Sequence, residues 1–368
     1  MVLLKKAPVL LGLLILASLP MPAQEAGAER FRLIGAERAQ SLNRKLRSAA
    51  AEGYHVIAAG RGPSVSGKGR VVLLMEKNET AEQRREYAVL TSSGKLDDAP
   101  TAAGINALAA KGYRLSPEHI LPERLDDLWV TESTYEDQVL LILERPPGPD
   151  DSAYAYDSFS YETAASFTRE LSSSLAKGYE PMGIVNSARR LRIVLEKRPG
   201  RDGPASGDPG ERAGRYRILL TPKRLAMKHA LKRAAKKGYR VVDMADPSIY
   251  APPMLLLQKR DDLPETYRYK LIVKPGKKIR KSKLERKLNK RARKGFHVTP
   301  GAITRSAVVL QRPPGPLTHP EYRALSSTTA PGISATMEAA LSEGFRLVTI
   351  FVTAGETTVL LEKPGPAL

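Results

Sequence analysis

Two patterns in this chain have residue types and spacing that could do chemistry. The first, Gly62-Pro-Ser-Val-Ser-Gly67-Lys68-Gly69, fits the first seven positions of a phosphate-binding loop. Such a loop needs Ser or Thr next, to ligate magnesium, and then a helix whose N-terminal amides face the phosphates. Here the next residue is Gly69 and Val71-Val-Leu-Leu-Met75 reads as a strand, so the segment is read as a hairpin loop and no nucleotide cofactor is expected. The five histidines, His55, His119, His229, His297 and His319, show no metal-ligand spacing within a helix. His55 and His297 each stand two residues after a glycine, where equivalent segments hold Arg114, Glu180, Arg240 and Arg346. That place reads as an exposed polar position of a strand. No catalytic, metal or cofactor residue is assigned. The absence of cysteine excludes disulfides, thiolate catalysis, Cys-based zinc sites and a lipid-modified cysteine.

The second pattern is cationic. Residues 215–260 hold 12 Lys or Arg against 2 acids and 267–312 hold 16 against 1, in a chain of net charge +20, so the remainder is net acidic. Lys277, Lys278, Arg280, Lys281 and Lys283 lead into a helix that carries Arg286, Lys287, Lys290, Arg291, Arg293 and Lys294. Its opposite face is an apolar stripe of Leu284, Leu288 and Ala292. Lys232 and Lys236 sit on the corresponding helix of the first basic stretch. Like charges four apart, such as Arg286, Lys290 and Lys294, cost an isolated helix about 0.2 to 0.5 kcal/mol per pair. A merely solvated face interleaves Glu, and only Glu285 does so. Cations also suit a helix C-terminus and solubility; against those passive readings, the concentration of charge points to an anionic partner. Nucleic acid is the runner-up, but the helix lacks the aromatic or base-reading groups of such sites.

The elements that carry these residues are copies of one unit. Six times an apolar helical stripe ends at glycine plus an aromatic: Gly53-Tyr54, Gly112-Tyr113, Gly178-Tyr179, Gly238-Tyr239, Gly295-Phe296 and Gly344-Phe345. The intervals between the glycines are 59, 66, 60, 57 and 49 residues, the mark of a tandem repeat with loops of differing length. Apolar or small residues recur three and seven positions before each glycine, as in Ala50 and Leu46 or Leu175 and Leu171, which is one face of a helix. The glycine reads as the left-handed residue that closes the helix. A short strand follows, then a loop and a second, more continuously apolar strand ending in a polar pair, as in Val71–Lys77, Val139–Arg145 and Val359–Lys363. A strand opening on Phe31, Tyr87, Tyr154, Tyr216, Tyr267 or Tyr322 precedes each helix.

The unit is therefore β-α-β-β. A right-handed crossover makes the first two strands parallel, and the third, hairpin-linked to the second, slots between them. The expected fold is α+β: six three-stranded sheets of order 1-3-2, each with one helix on one face. Units of about 50 residues bury little surface alone, so neighbours are expected to share cores. The pattern resembles a short bacterial domain of unknown function that runs strand, helix, Gly-aromatic, strand, strand and ends in Lys or Arg. That resemblance covers nearly all of the chain after its first 28 residues. It implies this fold and brings no catalytic residue.

The units are placed at 29–80, 84–148 with an insertion at 116–136, 152–199, 215–262, 264–315 and 319–366. Residues 200–214, rich in Gly, Pro and charge, read as a flexible linker dividing two lobes of three units. The insertion contains the only tryptophan, Trp129, and reads as a short helix over Pro122–Leu128 covering the open face of a sheet. Residues 1–28 have a basic start, an apolar run from Ala7 to Leu19 and small residues allowing cleavage after Ala23 or Ala28, as in a secretory signal. The sequence thus leads to an exported, periplasmic or extracellular, non-catalytic repeat protein of the bacterial envelope. Its fourth and fifth units would bind an anionic lipid headgroup, lipopolysaccharide, acidic polymer or acidic protein. The alternatives are a hydrolytic or processing enzyme with a site between units, and a scaffold assembling through sheet edges.

Overall fold

In a computed structural model the chain forms six β-α-β-β units. The structure describes residues 30–366 except 37, 64–68, 78–83, 94–101, 121–135, 148–153, 162, 188–189, 200–208, 221–223, 246–253, 260–266, 274–280, 304–306, 328–329 and 354–355. The signal-like segment, most of the Gly62–Gly69 loop and the Trp129 part of the insertion lie outside the described residues.

Unit 1 contains β1 (Phe31–Ala36), α1 (Ala39–Ala51), β2 (Tyr54–Pro63) and β3 (Gly69–Lys77). Unit 2 has β4 (Glu86–Ser93), α2 (Ala102–Ala109), β5 (Arg114–Ile120) and β6 (Glu136–Arg145). Unit 3 has β7 (Ala155–Ser160), α3 (Ala164–Ala176), β8 (Glu180–Ser187) and β9 (Arg190–Lys197). A short helix, α4 (Pro209–Gly214), leads into unit 4: β10 (Tyr216–Leu219), α5 (Arg224–Lys236), β11 (Tyr239–Ala245) and β12 (Met254–Lys259). Unit 5 has β13 (Arg268–Val273), α6 (Lys281–Ala292), β14 (His297–Ile303) and β15 (Ala307–Arg312). Unit 6 has β16 (Glu321–Ser327), α7 (Ala330–Ser342), β17 (Arg346–Thr353) and β18 (Glu356–Lys363). Each unit is one sheet of order 1-3-2, with the third strand antiparallel to both neighbours. All six Gly-aromatic glycines have positive φ, from 71° to 89°, so the left-handed helix closure holds in every copy.

The units close into a ring. Each helix packs against its own sheet and against the back of the next unit's sheet. Thus α1 shares a core with Tyr87 and Ile142 of unit 2, and α7 with Phe31, Val72 and Leu74 of unit 1. Alternate residues of β3 serve two helices, Val71, Leu73 and Met75 facing α1 while Val72 and Leu74 face α7. That double duty explains why third strands are continuously apolar: both faces are buried. The open face that the insertion was expected to cover is thus met in unit 2 by the preceding helix. Second strands β2, β5, β8, β11, β14 and β17 touch in succession and β17 returns to β2, so they line the inside. First strands lie outward, five of them with the preceding unit's helix beside them, while β10 meets α4, which itself packs on α3.

A bulge recurs in the second strand, after Val56, Pro181, Val241 and Leu347. The extra residue turns a side chain into the preceding unit's core: Ile57 joins α7, Met182 joins α2, Val242 joins α3 and Val348 joins α6. The backbone N–H just before the bulge meets a tyrosine of the next unit. Val56, Leu115, Val241 and Val298 donate to the hydroxyls of Tyr87, Tyr156, Tyr269 and Tyr322, at 2.8, 2.9, 3.1 and 2.7 Å.

Two of the six seams cannot use this latch. Between units 3 and 4 the donor position is Pro181, which has no N–H, and Tyr216 instead accepts from Gln258 Nε2. Between units 6 and 1 the tyrosine position is Phe31. Each seam has its own replacement. In the first, α4 packs on α3, with Ala213 in the shared core and Arg212 Nη1 donating to Leu175 O at 3.0 Å. In the second, Ser334 Oγ donates to Phe31 O at 2.7 Å and Arg30 N to Glu338 Oε1 at 3.2 Å. The segment read as a flexible linker therefore contains a packed helix over 209–214, and units 3 and 4 share a core as other neighbours do. The composition suggested coil because α4 holds few apolar residues; Arg212 and Ala213 are its buried side chains among the described residues.

Closure depends on close backbone approach at Gly60, where a Cβ would lie 2.7 Å from Ile350 O. Gly60→Ala is expected to cost about 2 kcal/mol in denaturant unfolding, through overpacking against backbone that cannot step aside. Gly214→Ala, which meets nothing within 4 Å, is the control. Equal stability of the two variants would show that the seam is loose.

Candidate functional site: a cationic arc and its polar supports

The basic residues converge because units 4 and 5 are neighbours on the ring. On α6 and the turn after it, Lys281, Lys283, Arg286, Lys290, Arg293 and Lys294 are exposed, while Lys287 and Arg291 are half-buried. On α5, Lys232 and Lys236 are exposed, as are Lys228, Arg233 and Lys237. Lys277, Lys278 and Arg280 lie outside the described residues. Lys270 on β13 joins the two helices: burial, then the charges of Arg291, Lys228, Lys294 and Lys232, hold its pKa below the usual lysine value. Cations of two helices, α5 and α6 with the turn after it, thus act on one ammonium group. Sequence reasoning missed Lys270, whose inclusion depends on which helix flanks β13.

The single acid of α6 does not interrupt this surface. Glu285 Oε2 accepts the backbone N–H of Ala324 at 3.0 Å, and Asn289 forms a paired contact with Tyr322, donating to its O and accepting from its N. Glu285 and Asn289 thus hold unit 6, leaving most cations of the helix toward solvent.

In every sheet the third strand ends in a Glu or Gln that the register places between an aromatic of the first strand and a polar residue of the second. In unit 6, Glu362 accepts from Tyr322 Oη at 2.6 Å and Arg346 Nη2 at 2.7 Å, with His297 Nδ1 3.7 Å away. Burial opposes its charge, but the neighbouring His297 ring and hydrogen bonds from Tyr322 and Arg346 outweigh that and hold the carboxyl at about 2. Unit 2 buries Glu144 with Arg85 at 2.7 Å and Arg114 at 3.6 Å. Unit 4 replaces the acid by Gln258, which accepts from Arg240 at 2.6 Å.

His297 Nε2 also lies 2.6 Å from Thr318 Oγ1, completing a hydroxyl, imidazole and carboxylate line. Arg346 and His297 face the same oxygen of Glu362, and equivalent residues in the other units build structural nodes; the line belongs to that series. His297 and His55 were expected to be exposed. Instead both are half-buried, because the next unit folds over them, and His55 Nδ1 has no hydrogen-bond partner among the described residues. His319 Nδ1 sits 3.3 Å from Ala292 O at the end of α6, His229 is exposed, and the His119 side chain lies outside the described residues. Among the described residues no group of three or more His, Asp or Glu is placed to hold a metal.

Asp243 is a further ionisable group that sequence reasoning passed over. It sits in the inner strand β11, where Oδ2 accepts Ile184 N–H across the unit 3–4 seam at 2.6 Å and Oδ1 accepts Met244 N–H at 2.8 Å. Burial pushes its pKa up to about 7 despite those two bonds. The only acid of β11, between Val242 and Met244, was the available signal.

Compared with known proteins, the chain matches no family model and no curated protein.

Proposed function

We propose that this chain is an exported, non-catalytic binding protein of the bacterial envelope that docks an anionic partner through units 4 and 5. One observation carries the reading. The cations of α5, β13 and α6 form one surface, from which the only acid of α6 has been turned away into a seam. A face serving solubility alone gains nothing from such concentration; repulsion at Lys270 is tolerated where a partner's charge relieves it. The signal-like first 28 residues and the likeness of each unit to a short bacterial domain support the envelope assignment. No helix among the described residues is long and apolar enough to cross a membrane, so the proposed contact is peripheral.

The test compares residues 29–368 with a variant in which Lys283, Arg286, Lys287, Lys290, Arg291 and Lys294 become Gln. Binding to anionic vesicles and to soluble polyphosphate is measured from about 50 to about 300 mM salt, across which Debye screening shortens roughly from 14 to 6 Å. Salt-sensitive binding to at least one anion is expected, weakened about 100-fold or more in the variant, since each cation near an anionic surface contributes about 1 kcal/mol. Equal binding by both proteins would sink the proposal.

A further inference from the structure

The distribution of charge around the ring indicates what shape of anion it meets. Units 2 and 5 lie three places apart in the closed cycle of six and therefore face away from each other across it. At α2 the outward residues Ala103, Ala107 and Ala110 are exposed, and they are the counterparts of Arg286, Lys290 and Arg293 on α6, counted back from each unit's glycine. The α7 rim is likewise small and neutral, with Ala335, Thr336 and Ala339 exposed. At α1, Arg38, Arg44, Lys45 and Arg47 are exposed, against eleven exposed cations among the described residues of α5, α6 and the turns that follow them. One arc of the perimeter, centred on units 4 and 5, therefore holds the dense charge.

That arc extends in two directions. It runs along α6 from Lys281 to Lys294 and across the ring from α6 through Lys270 to Lys228 and Lys232 of α5. A linear polyanion needs a track of charge; a sheet of anions needs an area. The arc lies on the outward side of the ring, and α5 and α6 contribute no Phe, Tyr or Trp side chain with which to stack or clamp a chain. Its side chains are predominantly lysine, strongly hydrated point charges suited to a diffuse anionic plane rather than to bidentate capture of one group.

We propose that the partner is a bilayer bearing anionic phosphate headgroups and that the ring meets it edge-on, with units 4 and 5 against the membrane and units 1 and 2 held away. This rests on the anionic-partner reading given above and narrows it. The ring axis then lies in the membrane plane, which leaves both flat faces open.

The chain has no cysteine, so a single introduced thiol can be labelled cleanly. Lys290→Cys and Ala107→Cys place a fluorophore at equivalent heights on opposite rims, five residues before Gly295 and Gly112. Each labelled protein is bound to anionic vesicles containing a headgroup quencher, and its affinity for soluble polyphosphate is measured in parallel. Edge-on docking predicts at least two-fold quenching at position 290 and none at 107. Equal quenching at both positions means that the ring lies flat and overturns the proposal. Binding to polyphosphate without binding to vesicles also overturns it, in favour of a polymer, while the anionic-partner reading stands. If neither anion binds the unmodified protein, both readings fall.

Discussion

Glu362→Leu is expected to destabilise the ring by about 3 kcal/mol or more, whereas Glu362→Gln should cost about 1. The carboxylate organises groups from two units: Tyr322 and Arg346 of unit 6 and His297 of unit 5. Tyr322 in turn accepts the Val298 amide, so loss of the acid also unsettles a seam latch. Leucine leaves the buried tyrosine hydroxyl without its acceptor. Glutamine keeps an acceptor oxygen, and Gln258 shows the same geometry holding Arg240 in unit 4. The sign with pH follows from a folded carboxyl at about 2 against 4.5 when unfolded: its contribution is complete above 4.5 and is lost as the pH falls toward 2. Denaturant unfolding at neutral pH reads the cost, and a repeat near pH 3 should shrink the gap between wild type and Glu362→Gln. Indistinguishable Leu and Gln variants would mean that the acceptor oxygen adds nothing beyond the charge that both variants lack.

Asp243 should give the protein an opposite dependence nearer neutrality. Its folded pKa, about 7, stands above the 3.8 of a solvated aspartate, so the protonated form favours folding. Its contribution is present in full below about 4 and disappears as pH rises through about 7. The difference sets an upper bound of about 4 kcal/mol, reduced by water reaching the partly accessible side chain. Burial and two amide donors are the causes acting on it, with no charged neighbour among them. His55 opposes this trend at lower pH, because burial, aided by Arg85, keeps its pKa below 6.5 and stability from that source rises as pH approaches 6.5. The clean comparison is the fall in unfolding free energy from about pH 6.5 to about pH 8 in wild type and in Asp243→Asn. The slope should flatten in the variant whatever its absolute stability, since an amide does not titrate. Hydrogen exchange at the Ile184 amide should quicken over the same interval in wild type beyond the base-catalysed increase seen at other amides. A pH slope unchanged by the substitution would place the titrating group elsewhere.

What the sequence determined by itself is the unit. The 3.6-residue stripe, the glycine that must turn left-handed and the apolar third strand each depend on neighbours within about 20 residues, so the β-α-β-β order and the 1-3-2 sheet follow from local chemistry and crossover handedness. The cationic surface of α6 was legible for the same reason, since a helix fixes which residues share a face. Everything that depends on which unit touches which came from contacts between distant parts of the chain. Ring closure needs Gly60 beside Ile350, almost the whole chain away. The use of Glu285 in a seam, the arrival of Lys270 between two basic helices, the burial of His297 and the enclosure of Asp243 are contacts between units. Composition around 200–214 misled in the same way, because α4 is fixed by the α3 surface it lands on and not by its own six residues. Local periodicity encodes an element's buried face, while the identity of what covers that face is a long-range choice that six similar units leave degenerate until they close on one another.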